Sequence, residues 1–288
     1  MDWVNAILQG ILVGGLYALF ATGLSLIFGV MRLVNIAHGD LIVLASFLCL
    51  AIVSGVGIHP LVALLVVVPL MFALGYALQR GLLNLTLGPD ILPPLLVTFG
   101  LSIIIQNALL EIFSADSQKL PAGTLQTASI QIVDGLAVGV FPVIVFVCAV
   151  AVIAGLQFLF YRTSLGTAFR ATSDDPDTAR LMGIDNKHIF ALAMAISLAV
   201  VALAGVFLGM RTSFDPSIGP GRLIYAFEAV IIGGLGSLWG TLAGGIIVGV
   251  SQIVGGKLFP GADQLAGHIV FLIILVVRPR GLFPRAVD

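Results

Sequence analysis

The sequence has little charge. Of its 288 residues only 9% are Asp, Glu, Lys or Arg, where a soluble domain carries about 25%. Thirteen Lys+Arg and 14 Asp+Glu cannot cover the surface of a globule of this length, so a soluble, secreted or disordered chain is excluded. The formal net charge of −1 leaves no basic surface for nucleic acid. Cysteine is scarce as well. Cys49 and Cys148 lie far apart inside apolar runs, without metal-ligand spacing, and read as small buried side chains. No phosphate loop of the form G-x-x-x-x-G-K-[ST] is present. Gly255-Gly256-Lys257-Leu258 lacks both the spacing and the following hydroxyl. No His/Cys cluster suggests a metal, and no Ser/His/Asp set suggests hydrolysis, so no cofactor is expected in this chain. Met1-Asp2-Trp3-Val4-Asn5 has no basic residue, and the apolar run after it is too long for a signal-peptide core, so the first span is expected to be retained.

What the chain has instead is apolar length. Hydrophobic residues make up 59%, and the mean hydropathy is +1.17. A helix crossing about 30 Å of hydrocarbon needs about 20 apolar residues. Spans are expected at 6–30, 36–56, 61–78, 91–113, 141–161 and 189–210. The stretch 223–254 is too long for one upright span and short for two. Gly233, Gly234, Gly236 and Gly240 surround Ser237 and Trp239 in its middle, which fits a Gly-rich broken helical hairpin. A last apolar run, 265–277, is short.

The basic residues choose an orientation. The polar insert 162–188 carries Arg162, Arg170, Arg180 and Lys187, and the tail carries Arg278, Arg280 and Arg285. Placing both in the cytoplasm requires an even number of crossings between them. The result is an all-α polytopic membrane protein of about nine transmembrane helices (8–10), with the N-terminus outside and the C-terminus inside. Arg32 and Arg80 join the inner set, while Lys119, Arg211, Arg222 and Lys257 fall outside. Arg211 and Arg222, flanking one outer loop, are the weak point of this assignment.

Residues 1–288 read as one membrane domain with two long polar segments. The external loop 114–140 is rich in Thr, Ser and Gln and is either a plain connector or a docking surface. Residues 162–188 are more informative. Leu165, Phe169 and Thr172 have helical spacing. Asp175 is a good N-cap, Pro176 suits the first helical position, Asp177 favours the positive dipole end and Gly183 suits a left-handed C-cap. These bound a short helix with Ala179, Leu181 and Met182 available to a partner. Such a helix cannot bury an apolar face alone, so either the membrane domain or another protein covers it.

Polar residues at membrane depth are functional candidates, because ionisable groups there cost several kcal/mol. Asn35, His38 and Asp40 open the second span near the cytoplasmic face. Thr98, Ser102 and Gln106 recur every four residues and share one helix face. Tyr17 marks the first span. Glu228 has no nearby cation except Arg222, which lies on another face. Interhelical hydrogen bonding is the plain alternative for each. Gly10 and Gly14, Gly205 and Gly209, and Gly245 and Gly249 have the four-residue spacing that lets helices approach closely.

Three strings carry a resemblance. Gly15-Leu16-Tyr17-Ala18-Leu19, Gly23-Leu24-Ser25-Leu26-Ile27-Phe28-Gly29-Val30 and Asn35-Ile36-Ala37-His38-Gly39-Asp40 closely resemble the start of branched-chain amino acid ABC-importer permeases of the LivH-like type. Arg170-Ala171, Leu181-Met182-Gly183-Ile184 and the run 226–237 extend the likeness across nearly the whole chain. The resemblance implies the vitamin-B12-type (type II) importer fold, with an inverted repeat. It implies a permease subunit in a bacterial inner membrane, importing hydrophobic amino acids. Its implied partners are a second related permease, two cytoplasmic ATPase subunits that bind ATP and Mg, and a periplasmic or extracellular solute-binding protein. It makes 162–188 the coupling loop to the ATPase, through Arg170, Asp175, Pro176, Ala179, Arg180, Leu181, Met182 and Gly183. Tyr17, Asn35, His38, Asp40, Thr98, Ser102, Gln106 and Glu228 are the candidates for the translocation path. The competing class is a self-sufficient transporter or channel for a small organic solute, using Asp40 or Glu228 as a proton or ion site.

Overall fold

A computed structural model describes residues 2–88, 90, 92–133 and 136–283. Three sequence-based expectations touch residues outside that set: the start of the fourth span at Ile91, the basic Arg285, and part of the external loop. The elements are α1 (Asp2–Met31), α2 (His38–Val56), α3 (Pro60–Gly81), α4 (Leu92–Phe113), β1 (Ser129–Val133), β2 (Leu136–Gly139), α5 (Val140–Arg162), α6 (Ser164–Asp174), α7 (Pro176–Leu181), α8 (Asn186–Arg211), α9 (Gly219–Gly233), α10 (Leu238–Leu258) and α11 (Asp263–Val277).

Seven helices are long and apolar enough to cross a membrane among the described residues: α1, α2, α3, α4, α5, α8 and α10. The chain is a multi-pass membrane protein. At 15 residues each, α9 and α11 are about 22 Å long, short of an upright crossing. The expected all-α chain also carries one antiparallel hairpin, β1–β2, pairing Ser129 with Gly139 and Ile130 with Val138.

The layout follows from which faces are apolar and small. Helix α1 is buried at every residue from Leu12 to Ile27, and α8 is buried almost as completely. Helices that are apolar all round belong in the middle of a bundle. By contrast α3 buries one row, Ala63, Val67, Met71, Gly75 and Gln79, and α5 buries Phe141, Val145, Ala149, Ile153 and Leu156. Their remaining faces point outward, to lipid or to partner proteins.

Glycine sets the close crossing of α1 against α10. A Cβ on Gly249 would stand 2.4 Å from the Gly10 carbonyl oxygen, and one on Gly14 would stand 2.5 Å from the Ile246 Cα. The four-residue glycine spacing is therefore used as a packing seam. The break between α9 and α10 holds two glycines with positive φ, Gly234 (101°) and Gly236 (80°), a conformation that costs glycine little.

One placement corrects the sequence reading. The Asn35–Asp40 region does not sit beside the end of α1. His38 Nε2–H donates to the Phe20 carbonyl at 2.7 Å, near the middle of α1 and about 16 Å of helix back from its end. Residues 32–37 run back along α1, and six extended residues span about 20 Å, enough for that return. Arg32, with φ 52°, makes the reversal. The first residues of α9 arrive at the same place. A Cβ on Gly219 would lie 2.0 Å from Asp40 Oδ1, and one on Gly39 would lie 2.0 Å from the Gly219 carbonyl oxygen. The N-termini of α2 and α9 thus meet inside the bundle, a meeting that no local sequence signal encodes.

Candidate functional site

The charged segment is built as a bracket at one end of the bundle. Thr163 caps α6, its Oγ1 accepting from the Gly166 amide at 3.1 Å. Gly166 lets α6 fold hard onto the end of α5; a Cβ there would stand 2.2 Å from the Leu159 carbonyl oxygen. Phe169 is fully buried and stacks on Phe160 at 5.2 Å. Arg170 donates to the Phe160 carbonyl and lies 5.2 Å over the Tyr161 ring, so it fastens α6 to α5. Ser173 Oγ donates to the Gly29 carbonyl at 2.7 Å, tying α6 to the end of α1.

Helix α7 has the caps its sequence calls for. Asp175 Oδ1 accepts from the amides of Asp177 (3.0 Å) and Thr178 (3.1 Å), and Oδ2 accepts from the Thr178 hydroxyl (2.5 Å). The Thr178 hydroxyl, then its amide, holds the Asp175 carboxyl below its ordinary range. Pro176 occupies the first turn, and its carbonyl accepts from Asn186 Nδ2 at 2.6 Å. Gly183, at φ 87°, turns the chain, and the Ile184 amide returns to the Ala179 carbonyl at 3.1 Å. Leu181 and Met182 are 86% and 80% exposed, and Arg180 is exposed beside them. Ala179 differs from expectation. It is buried within the chain, because the Gly183 turn and the Asn186 clamp hold its face against the bundle. It is not available to a partner.

The eight candidate path residues separate into two groups. Six surround the first turn of α2. Asp40 accepts from Ser102 Oγ at 2.5 Å and from Gln106 Nε2 at 3.0 Å. Thr98 Oγ1 accepts from the Ile36 amide at 3.2 Å, and Asn35 Oδ1 accepts from the Ala37 amide at 3.0 Å. The polar stripe of α4 therefore faces α2 and fixes Asp40 and the Ile36 amide where α2 and α9 meet.

Tyr17 and Glu228 lie in the second group. The Tyr17 hydroxyl donates to Gln252 Oε1 at 2.6 Å, and its ring stacks on Tyr225 at 5.1 Å. Tyr225 in turn stacks on His268 at 6.2 Å. His268 Nδ1–H donates to Glu228 Oε1. The partner of Glu228 is thus His268 of α11, forty residues away, which corrects the expectation that only Arg222 was near. Sequence reasoning missed Tyr225, Gln252 and His268. A usable signal existed, since Tyr225 and Glu228 are three apart on one helix and therefore neighbours.

A cavity of about 380 Å³ opens between the ends of α1 and α5 and the α9–α10 break, lined by Ser25, Gly29, Phe160, Tyr161, Ser237 and Trp239. It adjoins the α6 bracket.

Comparison with known proteins decides the family. Residues 6–278 match the family described as branched-chain amino acid transport system / permease component. The chain belongs to that family. Among relatives of this permease, BraD of Pseudomonas aeruginosa, a high-affinity branched-chain amino acid transport system permease protein, is 30% identical; the match covers 98% of this chain and 96% of BraD. LivH of Escherichia coli K12 is 27% identical over the same shares. The fructose import permease FrcC of Rhizobium meliloti is 30% identical, covering 71% of this chain and 59% of FrcC. PsaBC from Streptococcus pneumoniae, solved in complex with Fab, matches the permease in structure with a TM-score of 0.50 at 16% identity, over 97% of this chain and 96% of that one, a likeness of fold alone.

Proposed function

We propose that this permease is the membrane-spanning subunit of an ATP-driven importer of branched-chain amino acids in a bacterial inner membrane. The near full-length match to BraD carries this reading. The permease pairs with a second, related permease, and the solute passes between them. Two ATPase subunits, with ATP and Mg, dock on the α6–α7 end, and a solute-binding protein delivers from the opposite end. The seven long apolar helices among the described residues, together with the shorter α9 and α11, make up a membrane domain of nine crossings, N-terminus outside and C-terminus inside. The type II architecture with an inverted repeat is supported by a correspondence: α1 and α8 are each long, buried and followed by a non-helical return into a helix that starts inside the bundle.

The mechanism is alternating access. ATP closes the ATPase pair, and the grip on α7 passes through α6 to α5 and α1, where Arg170 and Ser173 are fastened. The exposed Leu181–Met182 pair is the part of α7 that an ATPase groove would bury. Copurification tests this. Leu181→Asp is expected to lose the ATPase subunits while the permease remains intact in detergent; undiminished copurification and transport would refute the docking role.

A further inference from the structure

Two arginines sit where orientation alone does not want them. Arg211 ends α8, at the opposite end of that helix from the basic α6–α7 segment, and Arg222 lies one turn into α9, whose start is buried inside the bundle. Lys and Arg are ordinarily kept to the cytoplasmic side and are costly at membrane depth, so each of these needs its own reason. Among the described residues neither arginine is in an ion pair. The Arg222 guanidinium stands 6.0 Å over the Tyr225 ring, and its Nε is buried without a partner. The Tyr225 ring beneath it stacks at 5.1 Å on Tyr17, whose hydroxyl donates to Gln252.

That hydroxyl leads to two further unpaired atoms. Glu228 is 2% exposed; Oε1 is taken by His268, and Oε2 has no partner. Gln252 is 6% exposed; Oε1 is taken by Tyr17, and Nε2 has no partner. Gly267 packs on the Gln252 side chain and holds it in place. Buried polar atoms left unpaired are costly, and native structures keep few of them without a function. The two orphans are complementary. A carboxylate oxygen calls for a cationic donor, and a free amide N–H calls for an acceptor such as a carboxylate. The His268 side chain is 39% exposed, which leaves the cluster open on one side.

We propose that Tyr17, Glu228, Gln252 and His268, with Arg222 over Tyr225 at their edge, form a site for the charged head of a zwitterionic amino acid. Its ammonium group goes to the free Glu228 oxygen, and its carboxylate goes to Gln252 Nε2 and Arg222. The site rests on the importer reading above and gives that importer a place inside the permease to hold its solute.

The test uses the complete importer in proteoliposomes, with ATP and tritiated L-leucine. Glu228→Gln keeps the shape and the hydrogen bond to His268 but removes the charge. Arg222→Gln removes the other charge, and Arg222→Lys keeps it. Leucine uptake is expected to fall about tenfold or more in Glu228→Gln and Arg222→Gln, the scale of one lost charge-assisted contact, and to fall less in Arg222→Lys than in Arg222→Gln. Ser251→Ala, whose hydroxyl bonds only the Ile247 carbonyl, is the neutral control. Copurification of all subunits checks folding; if Glu228→Gln does not assemble, the Arg222 pair carries the test. Uptake within about twofold of wild type in either charge-removing variant that assembles overturns the site. A wild-type complex that assembles but carries no leucine overturns the importer reading itself, and the site with it.

Discussion

Gly249→Ala tests the close packing of α1 against α10. The added Cβ would meet the Gly10 carbonyl oxygen at 2.4 Å, the Gly14 amide nitrogen at 2.6 Å and the Gly14 Cα at 2.9 Å. All three are backbone atoms, so no side chain can swing away. Carbon contacts are comfortable near 3.5–4.0 Å, so α1 and α10 must part by about 1 Å. A gap of that size forfeits roughly a quarter to a half of the dispersion attraction along the seam. Overpacking of this kind costs about 1–3 kcal/mol, and rigid neighbours place Gly249→Ala at the upper end. The matched control is Gly155→Ala on the exposed face of α5, where nothing lies within 4 Å of an added Cβ. There alanine favours the helix by about 0.5–1 kcal/mol. Unfolding of the purified permease in detergent, titrated with SDS, reads both. The expected result is a clear loss for Gly249→Ala and no loss for Gly155→Ala. Equal behaviour of the two variants would refute the glycine seam.

Other expectations follow from single contacts. Leu181→Asp, at an exposed position, should change stability by under about 0.5 kcal/mol while releasing the ATPase, whereas Ala179→Asp should disorder α7 because it buries an unpaired charge; limited proteolysis of the 163–185 segment separates the two. Ser102→Val leaves Asp40 with the Gln106 donor alone and should cost about 1–3 kcal/mol in the same SDS titration; an unchanged midpoint would show that the α2–α4 network contributes nothing. The Asp175 cap should depend on acid in one direction. Its carboxyl is held below the unfolded value, so the cap is complete above the ordinary carboxylate pKa of about 3.9 and is lost as pH falls through the lower folded value. Amide exchange at Thr178, corrected for its intrinsic pH dependence, should therefore stay protected at pH 5 and lose protection only in acid below the ordinary carboxylate range; protection already lost at pH 5 would contradict the cap.

Much of this was legible in the sequence because it is local. Capping residues at Asp175 and Pro176, the turn glycine Gly183, the four-spaced glycines and the four-spaced polar stripe of α4 act over one or two helical turns, and each acts in the structure as its spacing suggests. What escaped depends on the return of the chain. Nothing in Arg32–Ala37 says that α2 starts beside Phe20, since that follows from the extended length available and from a contact with α9. Ala179 was misjudged because a small side chain in a short helix has no periodicity to show which face turns inward. Glu228 looked isolated because its partner, His268, comes from another helix in a segment too short to be read as a full span.

ATP-dependent uptake of tritiated L-leucine into proteoliposomes tests the central claim most directly. The permease reconstituted with its ATPase subunits, the second permease and the binding protein should accumulate leucine only when ATP is supplied, and the permease alone should carry none. Leucine transport by this chain alone, without ATPase subunits, would contradict the account.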